Sequence, residues 1–219
     1  MSPAAVPGAE GVTGVVHVVR HGEVHNPDKV LYGRLPGFDL SALGREQAVK
    51  AAEFLTGRDL GYLVCSPLQR AVQTSTPIAE LTGLEIHLDE RLIEAANKFE
   101  GQQVAGGSAH ILAPRNWKLL RNPFTPSWGE PYVEIAARML AAVKDAIDAA
   151  DGHEVVCVTH QLPVVELRRY VEGHRLWHNP KRRECSLASV TTITFDDGMA
   201  AVDYREPAGA TPKGAVPGA

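Results

Sequence analysis

Three short runs of mostly apolar residues, far apart in the chain, constrain its fold more than any other feature. They are Val15–Val19, Tyr62–Cys65 and Val155–Val158. Runs of this length, rich in valine, are typical of strands that are buried on both faces of a sheet. Helical patterns lie between them, so strands and helices alternate along the chain. This order predicts an α/β fold, a three-layer α/β/α sandwich with a mostly parallel central sheet.

Capping and turn residues mark the other elements. Ser41 is suited to cap a helix that stops near Gly57, and Ser66 followed by Pro67 is suited to begin another. An Asp-Asp-Gly sequence near the C-terminus favours a tight β-hairpin. The predicted elements are helices 41–55, 66–81, 131–150 and 163–172, a strand 85–88, and a hairpin of strands 189–195 and 200–204.

Each of the three apolar runs is followed by a cationic or titratable side chain. Arg20 and His21 follow the first run, Arg70 comes shortly after the second, and His160 comes shortly after the third. The carboxyl ends of parallel strands meet at one edge of a sheet, which is where ligands bind in open α/β folds. Two arginines and two histidines at that edge predict a pocket for a small dianion, and phosphate fits best.

Four sequence motifs occupy these predicted strand ends and the segment between them. They are Val-Val-Arg-His-Gly-Glu at 18–23, Cys-Ser-Pro-Leu-Gln-Arg-Ala-Val-Gln-Thr at 65–74, Glu-Arg-Leu-Ile-Glu at 90–94 and Val-Thr-His at 158–160. In this order they resemble the motifs of the histidine phosphatase superfamily, in the branch that includes the phosphoglycerate mutases. The resemblance implies a phosphoglycerate mutase-like sandwich and phosphoryl-transfer chemistry.

The resemblance also suggests a role for each motif residue. His21 is the proposed nucleophile, because a neutral imidazole nitrogen can attack phosphorus and form a phosphohistidine. Arg20 and Arg70 would bind phosphoryl oxygens. His160 would bind phosphate and stabilise charge on the transferring group. Glu94 would donate a proton to the leaving alkoxide.

Three further residues are candidate substrate contacts: Asn26, Arg34 and Gln161. The family often places Asn seven positions after its motif arginine, whereas Asn26 is six positions after Arg20. Gln161 stands where glycine commonly follows the last histidine, so its side chain reshapes the pocket. Val24 replaces the usual Ser or Thr and removes a hydroxyl group.

Two questions stay open from sequence. Glu90 and Glu100 lie close to Glu94 and are alternative proton donors. The activity we expect is that of a metal-independent phosphomonoesterase that acts through a phosphohistidine on a small phosphorylated metabolite. A phosphoglycerate mutase is the alternative enzyme. A module that binds a phosphate ligand with little or no turnover is the alternative of another class.

Other chemistries lack their motifs. The chain has nine histidines but no His-Glu-x-x-His, no Cys-x-x-Cys and no carboxylate-rich calcium loop. It also has no Gly-x-x-x-x-Gly-Lys-Ser/Thr loop and no Gly-x-Ser-x-Gly elbow. We therefore expect no metal and no cofactor.

Bulk properties restrict partners and location. A net charge of −4 argues against a general binder of nucleic acid or membrane surfaces. No apolar run approaches the roughly 20 residues that span a bilayer. The N-terminal residues lack the features of a signal peptide, and three cysteines without a framework spacing favour reduced thiols in the cytoplasm. We expect a small phosphorylated substrate as the partner and leave a homodimer open.

The ends of the chain are rich in Pro, Gly and Ala, so residues 1–13 and 207–219 are predicted to be disordered. Residues 14–206 form the predicted histidine phosphatase domain. Within it, residues 95–128 are irregular in pattern and are predicted to form a loop or cap over the pocket.

Overall fold

The computed structural model describes residues 4–103, 117, 122 and 126–211, and the strands in these ranges form one sheet. The strands are β1 (Ala4–Ala5), β2 (Gly14–Arg20), β3 (Leu60–Cys65), β4 (Ile86–Leu88), β5 (Glu154–Thr159), β6 (Val190–Asp196) and β7 (Met199–Arg205). Their order across the sheet is β1-β7-β6-β2-β5-β3-β4. The three apolar runs form β2, β3 and β5, which are adjacent in its centre.

The sheet is mixed rather than mostly parallel as predicted. Strands β2, β3, β4 and β5 run parallel to one another. Strand β6 is antiparallel to β2 and β7, and β1 is antiparallel to β7. The cause is the hairpin turn at Asp197-Gly198, where φ values of 47° and 78° reverse the chain within two residues. The predicted hairpin is present, and it extends the sheet with antiparallel strands.

Four α-helices lie in the part of the chain that the structure describes: α1 (Ala42–Leu55), α2 (Gln69–Thr82), α3 (Tyr132–Ala149) and α4 (Gln161–Val171). Helix α1 is capped as predicted, since Ser41 Oγ accepts a hydrogen bond from Gly44 N–H at 3.0 Å. Helix α2 begins at Gln69 instead of Pro67, with Leu68 at its N-cap. The side chain of Ser66 is therefore not the predicted helix cap.

The two faces of the sheet carry separate apolar clusters, which confirms the three-layer sandwich. Val16 and Val18 of β2 belong to the cluster that includes α3 and α4. Val19 belongs to the cluster that includes α1 and α2. This alternation fits a strand whose side chains point in turn to opposite faces.

Parts of both segments that were predicted to be disordered are packed on the domain. Strand β1 pairs with β7, and Val6 and Ala9 are buried. At the other end, Thr211 Oγ1 accepts a hydrogen bond from Leu187 N–H at 2.8 Å. The prediction from composition underestimated how much of these segments is ordered. Backbone amides can pair with an open sheet edge even where side chains bury little apolar area. Residues 1–3 and 212–219 lie outside the described residues.

Most of the predicted loop or cap at 95–128 also lies outside the described residues. Its two described ends pair with each other, since Lys98 N–H donates to Trp128 O and Glu130 N–H donates to Ala96 O. Across the described ranges, none of the helices combines the length and apolar character that crossing a bilayer requires.

Candidate active site

The predicted phosphate-binding residues lie at the carboxyl ends of the central strands. Arg20 is the last residue of β2 and is in register with Thr159, the last residue of β5. His21 and His160 follow these two strands directly, and Arg70 lies in the first turn of α2. The ring centroids of the two histidines are 5.2 Å apart. The structure therefore brings together the set that the strand ends predicted.

The imidazole of His21 is fully buried and held in one orientation. Its Nδ1 lies 2.7 Å from Gly22 O, to which a protonated Nδ1 donates. Burial lowers the pKa of His21 well below its usual range, and the charges of Arg70 and Arg20 add to this effect. The ring is therefore neutral, with its proton on Nδ1 and a lone pair on Nε2. This is the form that can attack phosphorus.

Two glycines allow the turn after His21 to pack against α1. A Cβ atom on Gly22 would clash with Gly44 O, and a Cβ atom on Gly44 would clash with Glu23 O. Gly22 N–H also donates to Thr74 Oγ1 at 3.1 Å. The backbone that carries His21 is thus fixed by the first turn of α1 and by a side chain of α2.

Arg20 and Arg70 are buried although they are permanently charged, with exposures of 4% and 1%. Arg20 Nη1 donates to Cys185 O at 2.5 Å, and Arg70 Nη2 donates to Gly33 O at 2.6 Å. Arg70 also lies over the Tyr32 ring, 4.8 Å from its centroid. These acceptors orient the guanidinium groups without neutralising them, which suits arginines that bind phosphate.

His160 is held by a hydroxyl group. Its Nε2 lies 2.7 Å from Ser66 Oγ. Burial lowers the pKa of His160 well below its usual range, and the charges of Arg70 and Arg20 act in the same direction. A neutral His160 that accepts the Ser66 proton at Nε2 carries its own proton on Nδ1. From there it can donate to a phosphoryl oxygen.

Glu94 has the surroundings of a proton donor. Its side chain is fully buried, and its Oε1 accepts a hydrogen bond from Ala95 N–H at 2.9 Å. Burial raises the pKa of Glu94, and this effect exceeds the opposing influence of that N–H group and of nearby arginines. Glu90 is exposed, and Glu100 accepts a hydrogen bond from Arg34 N–H. Of the three carboxyls, Glu94 is the one that is fully buried.

Five buried polar atoms at this site have no hydrogen-bond partner among the residues that the structure describes, and we term them the open atoms. They are Arg20 Nε, His21 Nε2, Arg70 Nε, His160 Nδ1 and Glu94 Oε2. Leaving a buried polar atom unpaired costs about 1–3 kcal/mol. Their occurrence on these five residues therefore indicates a site built for a polar ligand.

Two of the candidate substrate contacts hold protein segments in place. Asn26 folds its own loop, because its Nδ2 donates to Val30 O and its Oδ1 accepts from Val30 N–H. Arg34 Nε donates to the backbone oxygen of Glu94 at 2.6 Å, and its Nη2 donates to Glu130. Arg34 therefore positions the segment that carries Glu94.

The third candidate contact, Gln161, is the first residue of α4. Its Nε2 lies 3.5 Å from Cys185 O, the same oxygen that accepts from Arg20. Gln161 therefore lies beside the anchor of Arg20, which is predicted to bind phosphate. Val24, the other departure from the family pattern, is buried and forms a backbone bridge with Leu40.

Sequence analysis missed three residues of the site: Ser66, Tyr32 and Arg183. Ser66 had a signal, its place in the second motif, but its hydroxyl was assigned to a helix cap. Tyr32 packs on Arg70, and the charge of Arg183 acts on Glu94. Both residues lie in connecting segments, where no periodic pattern marks a side chain that reaches the site.

Within residues 4–103, 117, 122 and 126–211, no group of three or more His, Cys, Asp or Glu side chains could hold a metal ion. The positive charge that the described residues place at the site is that of its arginines. Independence from metal stays a prediction.

The model of the histidine phosphatase superfamily (branch 1) matches residues 16–206, which include every residue of this site. The chain belongs to this superfamily. Rv0525, an uncharacterized protein of Mycobacterium tuberculosis, is 58% identical over 194 residues, which cover 88% of this chain and 96% of its own. A glucosyl-3-phosphoglycerate phosphatase of Mycolicibacterium vanbaalenii is 32% identical over 153 residues, which cover 65% of this chain and 67% of its own.

Solved structures share the fold of this chain. The mycobacterial glucosyl-3-phosphoglycerate phosphatase Rv2419c, in its complex with VO3, matches with a TM-score of 0.73 at 29% identity. The match covers 88% of this chain and 98% of that one. YhfR of Bacillus stearothermophilus also matches with a TM-score of 0.73, at 24% identity, over 88% of this chain and 96% of its own.

Proposed function

We propose that this chain hydrolyses small phosphomonoesters through a phosphohistidine at His21, without a metal. The observation that carries the proposal is the state of that imidazole. Its Nδ1 is held by Gly22 O, and its Nε2 is an open atom under the influence of Arg20 and Arg70. A neutral nitrogen in a positive pocket combines a nucleophile with binding of its anionic target.

The proposed reaction has two steps. In the first, the Nε2 lone pair of His21 attacks phosphorus while the bond to the alcohol oxygen breaks. Arg20, Arg70 and His160 bind the other phosphoryl oxygens, and Glu94 gives its proton to the departing oxygen. In the second step, water attacks the phosphohistidine and the Glu94 carboxylate takes up its proton. Inorganic phosphate leaves, and His21 is free again.

The relatives suggest which substrate to assay first. Two of the proteins that resemble this chain carry the name glucosyl-3-phosphoglycerate phosphatase. We therefore place glucosyl-3-phosphoglycerate first among the phosphomonoesters. A phosphoglycerate mutase is the second candidate, and the complete burial of His21 favours it, because a mutase must shield its phosphohistidine from water while the substrate reorients.

The test is a product analysis with the full chain. Phosphate release is measured on a panel of phosphomonoesters, beside isomerisation of 3-phosphoglycerate. In parallel, the reaction is stopped in alkali, where phosphohistidine survives, and the peptide that contains His21 is examined by mass spectrometry. Phosphate release without isomerisation, with phosphate on His21, supports the proposal. Isomerisation supports the mutase, and phosphate binding without turnover supports a binding module.

A further inference from the structure

The segment that carries the proposed proton donor has little secondary structure of its own. A single 3₁₀ turn at Glu90–Leu92 precedes it, and Glu94 lies two residues after that turn. The Glu94 carboxyl accepts a hydrogen bond from Ala95 N–H through Oε1, and its Oε2 is an open atom. Among the described residues no other side chain therefore binds this carboxyl, so its position depends on the backbone that carries it.

Backbone oxygens of residues 91–96 are bound by donors from other parts of the chain. Thr159 Oγ1, at the end of β5, donates to Leu92 O at 2.5 Å. Three further contacts are those of Arg138 Nη1 with Arg91 O, Arg34 Nε with Glu94 O at 2.6 Å, and Glu130 N–H with Ala96 O at 3.1 Å. The backbone on both sides of the Glu94 side chain is thus held from outside the segment.

The two arginine donors share one partner, the carboxylate of Glu130. Its Oε2 accepts from Arg34 Nη2 at 3.0 Å. Its Oε1 accepts from Arg138 Nε at 2.7 Å, and its Oε2 accepts from Arg138 Nη2 at 3.2 Å. The contact with Arg138 is therefore bidentate, which fixes the orientation of the guanidinium group as well as its distance. One carboxylate thus orients both of the side chains that bind Arg91 O and Glu94 O.

The charge of Glu130 keeps these two arginines together. The side chains of Glu130 and Arg138 are only 14% and 16% exposed, so solvent screens their ion pair less than it screens a surface pair. Arg34 is 35% exposed, so its guanidinium group has water as an alternative partner. Without the carboxylate, the two like charges would repel each other, and Arg34 would turn toward solvent and away from Glu94 O.

We infer that Glu130 is a positioning residue for the proton donor and acts on Glu94 through Arg34 and Arg138. This inference rests on the proposed function, in which Glu94 protonates the leaving oxygen. A displacement of about 1 Å in a catalytic group can cost about 10²-fold in rate. The described hydrogen bonds of Glu130 go to Arg34, Arg138 and Ala96, and none of them goes to a residue proposed to bind phosphate.

The experiment is Glu130→Gln in the full chain, assayed on glycerol 3-phosphate and on p-nitrophenyl phosphate. A side-chain amide has one acceptor oxygen, and its NH₂ group cannot accept from a guanidinium group, so one arginine loses its partner. The kcat for glycerol 3-phosphate should fall about 10- to 100-fold. The kcat for p-nitrophenyl phosphate should stay within about threefold, because nitrophenolate needs little protonation. The KM values for both esters should change little.

The matched control is Glu172→Gln. The Glu172 side chain is 7% exposed and pairs with Arg168 and His174, far along the chain from residues 91–96. This variant also takes a carboxylate away from an arginine, so it shares the structural cost of losing an ion pair. It should keep the ratio of the two kcat values, whereas Glu130→Gln should change that ratio.

A double variant tests whether the effect passes through Glu94. In Glu94→Gln there is no proton donor to position. Adding Glu130→Gln should therefore slow glycerol 3-phosphate hydrolysis by no more than about twofold beyond Glu94→Gln alone. A second loss as large as that of Glu130→Gln by itself would show that Glu130 acts by another route, and it would overturn the inference.

The inference is also overturned if Glu130→Gln keeps the ratio of the two kcat values. The proposed function would still stand in that case, provided that Glu94→Gln alone slows glycerol 3-phosphate selectively. If Glu94→Gln leaves the ratio unchanged, or the wild-type protein hydrolyses neither ester, the proposed function fails and the inference fails with it. If circular dichroism shows that Glu130→Gln is unfolded, Arg34→Met decides. It removes the contact with Glu94 O and should give the same selective loss, and an unchanged ratio would contradict the inference.

Discussion

Strand β2 and the residue after it carry two fully buried histidines, His17 and His21, whose ring nitrogens are used differently. His17 Nε2 donates to Glu154 Oε2 at 2.7 Å, and its Nδ1 accepts from Thr192 Oγ1 at 2.9 Å. His21 binds Gly22 O through Nδ1, and its Nε2 is an open atom. Both ring nitrogens of His17 are thus hydrogen-bonded within the protein, whereas Nε2 of His21 is available to a ligand.

This difference shows what distinguishes the histidine proposed as the nucleophile from the structural one. Burial lowers the pKa of both His17 and His21, so neither burial nor the direction of the pKa shift separates them. The two histidines differ in whether each ring nitrogen has a hydrogen-bond partner. This difference is informative because buried polar atoms in folded proteins are nearly always paired.

The largest effect is expected at His21. His21→Ala should lower phosphatase turnover by about 10⁴-fold or more, as for loss of other nucleophiles, while the thermal midpoint changes little. His25→Ala is the matched control, because His25 is exposed and close in sequence. Near-wild-type turnover in His21→Ala, measured as phosphate release, would show that another residue carries the chemistry.

The next effect is expected at Glu94 and depends on the leaving group. An alkyl phosphate leaves as a basic alkoxide and needs a proton, whereas nitrophenolate needs it far less. Glu94→Gln should therefore slow alkyl phosphate hydrolysis by about 10² or more and affect p-nitrophenyl phosphate much less. Glu90→Gln is the control, since Glu90 is exposed. Equal losses on both substrates would point to a role in binding instead.

For His17 we expect the opposite pattern, loss of stability without loss of turnover. His17→Val leaves Glu154 and Thr192 without their partner in the ring, which should cost about 1–3 kcal/mol of unfolding free energy. Turnover by the folded protein should stay within about twofold of wild type. Urea unfolding and phosphate release measure the two quantities, and a large loss of turnover in the folded variant would break the contrast with His21.

The cost of His17→Val should also depend on pH. Because burial lowers the pKa of folded His17, the unfolded chain takes up this proton first as pH falls. The stability from His17 is fully present above about pH 6.5, its unfolded value, and is lost below it. The cost should shrink between pH 8 and pH 5.5 in urea unfolding. The raised pKa of Glu166 makes stability depend on pH in the opposite direction. This contribution is the same in the wild-type protein and in His17→Val, so it cancels from the difference in stability between them. A constant or growing cost would contradict this sign.

The smallest expected effect is that of chelation. Arg20 and Arg70 supply positive charge at the site, so EDTA should leave phosphate release unchanged. The measurement is turnover before and after dialysis against EDTA, with dialysis against buffer as the control. Complete loss of turnover after EDTA, with recovery on addition of one divalent ion, would contradict the metal-free mechanism.

Sequence reasoning located Arg20, His21 and His160 because they stand at strand ends, and parallel strands bring their ends together. The assignment of Glu94 as the proton donor depended on the family resemblance, since a carboxylate in a connecting segment follows no periodic pattern. The contact of Ser66 with His160 and the influence of the Arg183 charge on the pKa of Glu94 depend on the paths of loops through space. Strand β1 was missed for a related reason, because a two-residue pairing at a sheet edge leaves no pattern in the sequence.

The mutual packing of Gly22 and Gly44 has a consequence for how the enzyme tolerates heat. It rests the turn that carries His21 on the first turn of α1. Helix ends open more readily than sheet cores, so catalytic alignment should fail before global unfolding. Hydrogen exchange at the α1 end as slow as in β2 would contradict this. The stability of the N-terminal end of α1 then sets the highest temperature at which catalysis persists. Substitutions that stabilise this helix end should extend the temperature range of activity without any change to the core.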